Sequence, residues 1–256
     1  MRFTHAGTSD VGRKRTHNED AFLLLPEEQL YCVADGMGGH ASGEVAARIA
    51  VEEMAEFFRL TGRDEDATWP FRMDVTRGYD ENRLLTGVKL ANLRIHERAQ
   101  ADERLHGMGT TLVAASFPRD RGEALIGHVG DSRAYRWHRG ALTQLTEDHS
   151  LLNEQRKARA LTPEEIRTFP HKNVILRALG MKPTVEVDVT RAPLADGDVL
   201  LLCSDGLSGM VPDARMADLL RAAHGDLKRA AAELVEAANA AGGVDNITCV
   251  LVGVQG

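Results

Sequence analysis

The 256-residue chain has few aromatic residues, only three cysteines and no long apolar run. Aromatic side chains make up 5% of the residues and apolar residues 43%, so we expect a mostly aliphatic core. No apolar run approaches the roughly 18 residues of a membrane-spanning helix, and the N-terminus lacks an apolar segment of signal-peptide length. These features predict a cytoplasmic protein with no membrane partner.

The three cysteines, Cys32, Cys203 and Cys249, lie in three separate apolar segments. No two of them have the CxxC spacing, which argues against a zinc site and against a thioredoxin-type redox motif. No cysteine is followed, after five intervening residues, by an arginine, so the loop of cysteine-dependent phosphatases is also missing. We expect three small buried hydrophobic residues in a reducing compartment.

The chain also has no excess of basic residues. Its 38 acidic residues outnumber its 31 basic ones and give a net charge of −7. A general nucleic-acid-binding protein normally presents a basic face, so we expect no nucleic-acid partner. The length is more typical of one large domain than of two, although it permits either.

Helical and strand-like segments alternate in blocks along the chain. Helical periodicity predicts one pair of helices at 44–60 and 80–102 and a second pair at 213–224 and 226–241. The last three of these helices begin at aspartates that we expect to act as N-caps. Strand-like runs fill the segments between the pairs and do not form βαβ units, so the pattern favours the α+β class.

Four aspartates stand at the ends of strand-like segments: Asp35, Asp131, Asp205 and Asp245. Glycine or a small turn flanks each, so other groups can approach closely. If these ends converge, the carboxylates repel one another unless cations neutralise them. One such aspartate alone is equally typical of a turn or a helix cap, but the recurrence favours a metal centre. Oxygen ligands alone favour Mg²⁺ or Mn²⁺ over zinc.

Eight short motifs occur in order along the chain. They are RTHNED at 15–20, DGMGGH at 35–40, GMGTT at 107–111, GDSR at 130–133, DHS at 148–150, RALG at 177–180, SDGL at 204–207 and DNIT at 245–248. Each motif alone is weak evidence for a protein family. Together they resemble the metal-dependent PPM/PP2C protein serine/threonine phosphatases, particularly the compact bacterial members, over residues 8–254.

The resemblance implies a fold. It predicts an α+β, four-layer αββα sandwich in which helix pairs flank two antiparallel sheets, formed as a single domain over residues 1–256. Residues 150–176 resemble the flap beside the active site of bacterial relatives. The flap carries the basic residues Arg156, Lys157 and Arg159, followed by a helix start at Thr162. The alternative for this stretch is a surface helical insertion with a solvated charged face.

The resemblance also implies a centre of two Mn²⁺ or Mg²⁺ ions. Seven residues would contribute to it: Asp35, Gly36, Asp205, Asp245, Glu19, Asp20 and Asp131. Asp35 bridges the two ions, the Gly36 carbonyl binds one of them, and Asp205 with Asp245 completes the other. Glu19 or Asp20 supports the first ion directly or through water. Asp131 together with Asp205 resembles a third, weaker metal position.

The remaining family positions give catalytic and structural roles. Arg15 matches the arginine that binds the phosphate, for which a forked guanidinium is well suited. His40 matches the histidine proposed as the general acid, although a histidine after a glycine turn is also often only structural. We expect His149 to pack and hydrogen-bond, and Thr110 and Thr111 to be structural strand residues at the cleft.

These implications predict the hydrolysis of phosphoserine and phosphothreonine in proteins by a metal-activated water. Two alternatives stay open. One is a phosphatase of the same fold that acts on phosphotyrosine or a small phosphate ester, and the other is an inactive member that serves as a binding module. The expected partners are phosphoproteins and a serine/threonine kinase with its substrates, and we expect a monomer.

Overall fold

The computed structural model describes residues 1–38, 42–63, 68–119, 121–167, 169–171 and 174–256. The strands in this part of the chain are β1 (Arg2–Asp10), β2 (Asp20–Leu25), β3 (Leu30–Met37), β4 (Gly109–Thr110), β5 (Leu112–Ser116), β6 (Glu123–Val129), β7 (Arg133–His138), β8 (Ala141–Gln144), β9 (Asp188–Pro193), β10 (Val199–Cys203) and β11 (Ile247–Gln255). The helices are α1 (Ser42–Arg63), α2 (Tyr79–Ala101), α3 (Leu151–Ala158), α4 (Pro163–Arg167), α5 (Asp205–Ser208), α6 (Asp213–Ala222) and α7 (Leu227–Ala240).

Two antiparallel sheets contain these strands. Sheet I has the order β1-β11-β10-β7-β8, and sheet II has the order β2-β3-β5-β6-β9 with β4 paired beside β3. All pairs of neighbouring strands run antiparallel. β1 is an edge strand of sheet I and β2 is an edge strand of sheet II, so the first two strands of the chain lie in different sheets.

Three apolar cores separate four layers. The central core lies between the sheets and joins residues such as Val33 and Ile126 of sheet II to Leu200 and Val250 of sheet I. A second core packs α1 and α2 on the outer face of sheet II, and a third packs α6 and α7 on the outer face of sheet I. This arrangement confirms the predicted αββα sandwich.

The apolar run of β10 follows from this layering. Leu200 and Leu202 face the central core, whereas Leu201 and Cys203 face the core beneath α6 and α7. A strand that is buried on both faces needs apolar residues at successive positions, which removes the usual alternation. The three cysteines are buried and free, as predicted.

Most helix ends agree with the predictions, but two predicted caps are wrong. The N-cap of α2 is Gly78 and that of α6 is Pro212, so Asp80 and Asp213 lie inside the first turns instead. Asp226 does cap α7 by accepting a hydrogen bond from the Arg229 N–H. None of the helices in the described ranges is long and apolar enough to span a membrane.

The described part of the flap contains α3 and α4, separated by a short connection, and an isolated antiparallel bridge between Ser150 and Ile175. Ser150 caps α3 through the Asn153 N–H. Before α4, the Thr162 N–H donates to Glu165 Oε2 at 2.8 Å, and the Glu165 N–H donates to Thr162 Oγ1 at 3.2 Å. This reciprocal pair is the predicted capping box.

Candidate active site

The first two carboxylates of the site come from adjacent strands of sheet II. Asp20 in β2 is the direct pairing partner of Asp35 in β3, so both side chains project from the same face of the sheet. The Asp35 backbone is fixed by its neighbours: its N–H donates to Thr111 Oγ1 at 3.2 Å, and its carbonyl accepts from the Thr111 N–H at 2.8 Å and from Thr110 Oγ1 at 2.9 Å. Both threonines are structural, as predicted, but only Thr110 lies in a strand, because Thr111 stands between β4 and β5.

Glycine at position 36 allows three backbones to meet beside Asp35. A Cβ atom at Gly36 would overlap the Gly43 carbonyl oxygen at the start of α1 and would lie 2.6 Å from the Glu19 carbonyl oxygen. The Gly36 N–H donates to that Glu19 carbonyl at 3.2 Å. This close approach brings the backbone of Glu19 next to the end of β3.

Sheet I contributes Asp205, which is the first residue of α5 and is separated from the end of β10 by one residue. The preceding residue, Ser204, is fully buried and links the two sheets, because its Oγ donates to Asp20 Oδ2 at 2.8 Å. The Thr248 N–H in β11 donates to the same Ser204 Oγ at 3.0 Å. Asp131 follows β6 in sheet II and is 9% exposed.

Asp245 lies just before β11 and pairs with Arg15. The distance from Arg15 Nη2 to Asp245 Oδ2 is 2.7 Å, and the Arg15 side chain is 48% exposed. The Asp245 carboxylate also accepts a hydrogen bond from the Asn246 N–H through Oδ1 at 2.8 Å. Arg15 therefore stands at the solvent side of the cluster, where a phosphate could reach its guanidinium.

The five aspartates perturb one another electrostatically. Burial raises the pKa of the Asp35 carboxyl well above its ordinary value, and the charges of Asp20, Asp205, Asp131 and Asp245 raise it further. Burial, together with the charge of Asp205, raises the pKa of Asp131 to about 7. Burial and the Asp245 charge also raise the pKa of Asp205. The predicted convergence of the strand-end aspartates is confirmed.

Three carboxylate oxygens of this cluster are buried and have no hydrogen-bond partner among the described residues: Glu19 Oε1, Asp20 Oδ1 and Asp131 Oδ1. His17 Nε2 lies 3.6 Å from Glu19 Oε1, beyond hydrogen-bond distance. Buried polar atoms are normally satisfied, so three unsatisfied acceptors in one cluster need a missing donor or cation. Hard divalent cations fit such oxygen-only surroundings.

A second group of potential metal ligands lies at the base of the flap and comprises His128, His149 and Asp188. His149 Nδ1 accepts from the Gly130 N–H at 3.1 Å, so its ring proton is on Nε2, which lies 3.3 Å from Asp188 Oδ2. Arg177 Nη1 donates to Asp188 Oδ1 at 2.7 Å and already supplies a cation. This group is therefore a hydrogen-bonded network, as predicted for His149.

Ser204 and Asn246 cross-link the site, although the sequence patterns predict no role for either residue. Asn246 is 4% exposed, and its Oδ1 accepts from the Glu19 N–H at 2.8 Å. Ser204 precedes Asp205 and Asn246 follows Asp245 within two of the motifs, and this adjacency is the feature of the sequence that could indicate a role in the site. His40, the predicted general acid, lies outside the described residues.

Known proteins resemble this chain over nearly its whole length. A family model described as protein phosphatase 2C matches residues 6–251. The serine/threonine phosphatase stp of Listeria welshimeri is 39% identical over 251 residues, which cover 95% of this chain and 93% of the relative.

Solved structures agree with the sequence relatives. The Mycobacterium tuberculosis serine/threonine phosphatase PstP/Ppp superimposes with a TM-score of 0.86 at 33% identity, covering 100% of both chains. The catalytic domain of PstP in complex with two manganese ions gives a TM-score of 0.83 at 33% identity, covering 99% of both. From the match of the family model and from these relatives, the chain belongs to the protein phosphatase 2C family.

Proposed function

We propose that this chain hydrolyses phosphoserine and phosphothreonine monoesters in proteins at a centre of two Mn²⁺ or Mg²⁺ ions. The observation that carries the proposal is the cluster of carboxylates from both sheets, with three buried oxygens that lack a partner among the described residues. Membership of the protein phosphatase 2C family supports the reaction. The two manganese ions bound to the PstP catalytic domain support the proposal that the centre holds two divalent ions.

The ligand roles follow the family positions. Asp35 would bridge the ions, with the Gly36 carbonyl on one of them and Asp205 and Asp245 completing the other. Supporting residues would be Glu19 and Asp20, and Asp131 with Asp205 would form a third, weaker position. When bound, the two ions supply a water of lowered pKa and neutralise charge on the phosphoryl oxygens. The orphaned oxygens of Glu19, Asp20 and Asp131 support this set.

Arg15 would bind the phosphate of the substrate. Its Nη2 is engaged by Asp245, which leaves the rest of the guanidinium fork facing solvent. His40 would donate a proton to the leaving serine or threonine oxygen, on the strength of its position in the DGMGGH motif. Among the basic residues of the flap, Arg156 would contact the protein part of the substrate, because Lys157 and Arg159 pair with Glu147 and Glu165. We further propose that residues 1–256 form one phosphatase domain with the flap at 150–176.

The alternatives are less well supported. An inactive binding module would be expected to have lost ligands, whereas all the matched aspartates are present. The named relatives are serine/threonine phosphatases, which disfavours phosphotyrosine or a small ester as the main substrate. A serine/threonine kinase would supply the phosphoproteins. We also propose a monomer in the cytoplasm, where the free thiols of the three cysteines stay reduced.

Peptide hydrolysis under defined metal conditions tests the proposal. A phosphothreonine peptide should be hydrolysed with Mn²⁺ or Mg²⁺, much less in EDTA, and again after Mn²⁺ is restored, whereas a matched phosphotyrosine peptide should react far more slowly. Asp35→Asn and Asp205→Asn should lower kcat by orders of magnitude, while Asp213→Asn at the start of α6 should not. Full activity after exhaustive chelation would overturn the two-ion centre, and preference for phosphotyrosine would overturn the substrate class.

A further inference from the structure

Asn246 holds both ends of the loop that carries Arg15. Its side-chain Nδ2 donates to the Val11 carbonyl at 2.9 Å and to the His17 carbonyl at 3.0 Å. Its Oδ1 accepts from the Glu19 N–H at 2.8 Å. Both amide donors are thus used within a residue that is 4% exposed, and all three bonds go to the backbone of one loop.

The loop at 11–19 has irregular backbone and needs these bonds to keep its shape. Gly12 has a φ of +79°, and a Cβ atom there would overlap the Asp245 carbonyl oxygen. The N–H groups of Arg13 and Lys14 both donate to the Gly243 carbonyl, at 2.7 and 3.1 Å. The loop is therefore pressed against the segment 243–246, which also contains Asp245.

Arg15 depends on this loop for its position. Half of its side chain is exposed, so packing contributes little to holding the guanidinium, which pairs only with Asp245 among the described residues. Asn246 fixes both partners of that pair: its side chain fixes the Arg15 loop, and its backbone N–H fixes the Asp245 carboxylate at 2.8 Å.

We propose that Asn246 is a positioning residue that places the Arg15 guanidinium for the substrate phosphate. This inference rests on the proposed function, in which Arg15 binds phosphate. Two-point binding by a guanidinium fork is sensitive to small displacements, because both hydrogen bonds need the same plane. Loss of the Asn246 donors frees the carbonyls of Val11 and His17 and lets the fork move away from the phosphate.

A double-mutant cycle tests the inference with the Mn²⁺-loaded full chain. The variants are Asn246→Ser, Arg15→Ala and the double variant, and the readouts are kcat and KM for a phosphothreonine peptide and the inhibition constant of inorganic phosphate. Asn246→Ser keeps the backbone N–H to Asp245 but loses the acceptor of the Glu19 N–H, so Mn²⁺ affinity is measured for every variant and the kinetics are recorded at saturating Mn²⁺. For Asn246→Ser, KM and the inhibition constant of inorganic phosphate should rise about tenfold or more, with a smaller change in kcat. In the Arg15→Ala background, Asn246→Ser should add almost nothing.

Asn82→Ser is the matched control. Asn82 is 5% exposed and binds a loop in the same way, with its Oδ1 accepting from the Asp74 N–H at 2.8 Å and its Nδ2 donating to the Asp74 carbonyl at 2.9 Å. It lies at the first turn of α2, where neighbouring Glu81 pairs with Arg191. Asn82→Ser should lower stability without changing KM, which separates loss of a buried amide from displacement of Arg15.

Two outcomes would overturn the inference. One is an equal rise of KM on Asn246→Ser in the wild-type and Arg15→Ala backgrounds, and the other is an unchanged KM. If Asn246→Ser does not fold, Asn246→Asp takes its place in the cycle, because it keeps the shape and the acceptor for Glu19 but lacks both donors. If Arg15→Ala alone leaves KM unchanged while the enzyme stays active, the phosphate role of Arg15 fails but the phosphatase reaction stands.

Discussion

Asp20 and Asp35 are directly opposite each other on neighbouring antiparallel strands. Like charges at such a position destabilise a sheet, and nothing in strand packing requires them there. Ser204 satisfies one oxygen of Asp20 through its hydroxyl, but the other is buried without a partner in the described structure. The sheet thus maintains a repulsion that a divalent cation would relieve.

Replacing Asp20 by Asn should therefore separate stability from metal binding. The change removes one negative charge but retains an acceptor for Ser204. In EDTA, Asp20→Asn should raise Tm by about 2–4 °C for each kcal/mol of repulsion removed, whereas its Mn²⁺ affinity should fall about 10–100-fold. Calorimetry with and without Mn²⁺ measures both effects, with exposed Asp213→Asn as the control. A lower Tm in EDTA would show that Asp20 is stabilising without metal.

Leaving-group chemistry tests His40. The alkoxide released from phosphothreonine is a strong base and needs a proton, whereas p-nitrophenolate leaves without help. His40→Ala should slow hydrolysis of a phosphothreonine peptide about 10²–10⁴-fold and that of p-nitrophenyl phosphate much less. Mn²⁺ affinity is measured alongside, because Asp35 is close in sequence. Equal slowing of both substrates with intact metal binding would argue that His40 is not the acid.

Arg156 on the flap is suited to recognise the protein part of a substrate. It lines a cleft of about 360 Å³ between α3 and the β7–β8 side of sheet I. Lys157 pairs there with Glu147 at 2.9 Å, and Arg159 pairs with Glu165 at 2.8 Å. No carboxylate in the described part of the chain lies within ion-pair distance of Arg156, so its charge is available to an acidic residue of the substrate.

Arg156→Ala should lower kcat/KM for phosphopeptides with acidic residues beside the phosphothreonine by about 3–10-fold, as expected for loss of one partly exposed ion pair. Activity on p-nitrophenyl phosphate should not change. Arg159→Ala serves as the matched control, since the Arg159 charge is already paired with Glu165. Equal effects of the two variants, or equal effects on peptide and ester, would contradict the assignment.

Acid stability should depend on Asp198, which immediately precedes β10 and is 1% exposed. Burial alone would raise its pKa, but hydrogen bonds from His138, the Ala195 N–H and Arg136 outweigh burial and hold the pKa below its ordinary value. A depressed pKa adds stability at pH values above the unfolded pKa, and this stability is lost as the pH falls through the folded pKa.

Asp198→Asn should therefore be less stable than wild type at pH 7, by about 1–3 kcal/mol, and the difference should shrink as the pH falls below about 4. Urea unfolding at a series of pH values measures it. Because the difference between the two proteins is compared at each pH, the titration of the aspartate cluster cancels. A difference that is constant from pH 7 to pH 3 would mean that Asp198 contributes shape and not charge.

Local patterns predicted the helices, the α+β class and the recurrence of aspartates at strand ends, whereas the four-layer sandwich was an implication of the family resemblance. The patterns did not reveal β9, where the mixed segment Asp188–Pro193 is a partly exposed edge strand without clear alternation. Nor did they reveal the bonds of Ser204 and Asn246, since these join residues 184 and 227 positions apart. Such contacts depend on how the two sheets face each other, which no local pattern encodes.

The position of β11 has a consequence for the assembly of the site. It is the last strand in chain order, yet it lies inside sheet I between β1 and β10, and Asp245 immediately precedes it. Sheet I is therefore continuous only when β11 is inserted between two strands that come earlier in the chain. Because the same insertion brings Asp245 to the other aspartates, assembly of the sheet and assembly of the carboxylate cluster are one event, and a chain with β11 detached should not hydrolyse phosphoproteins.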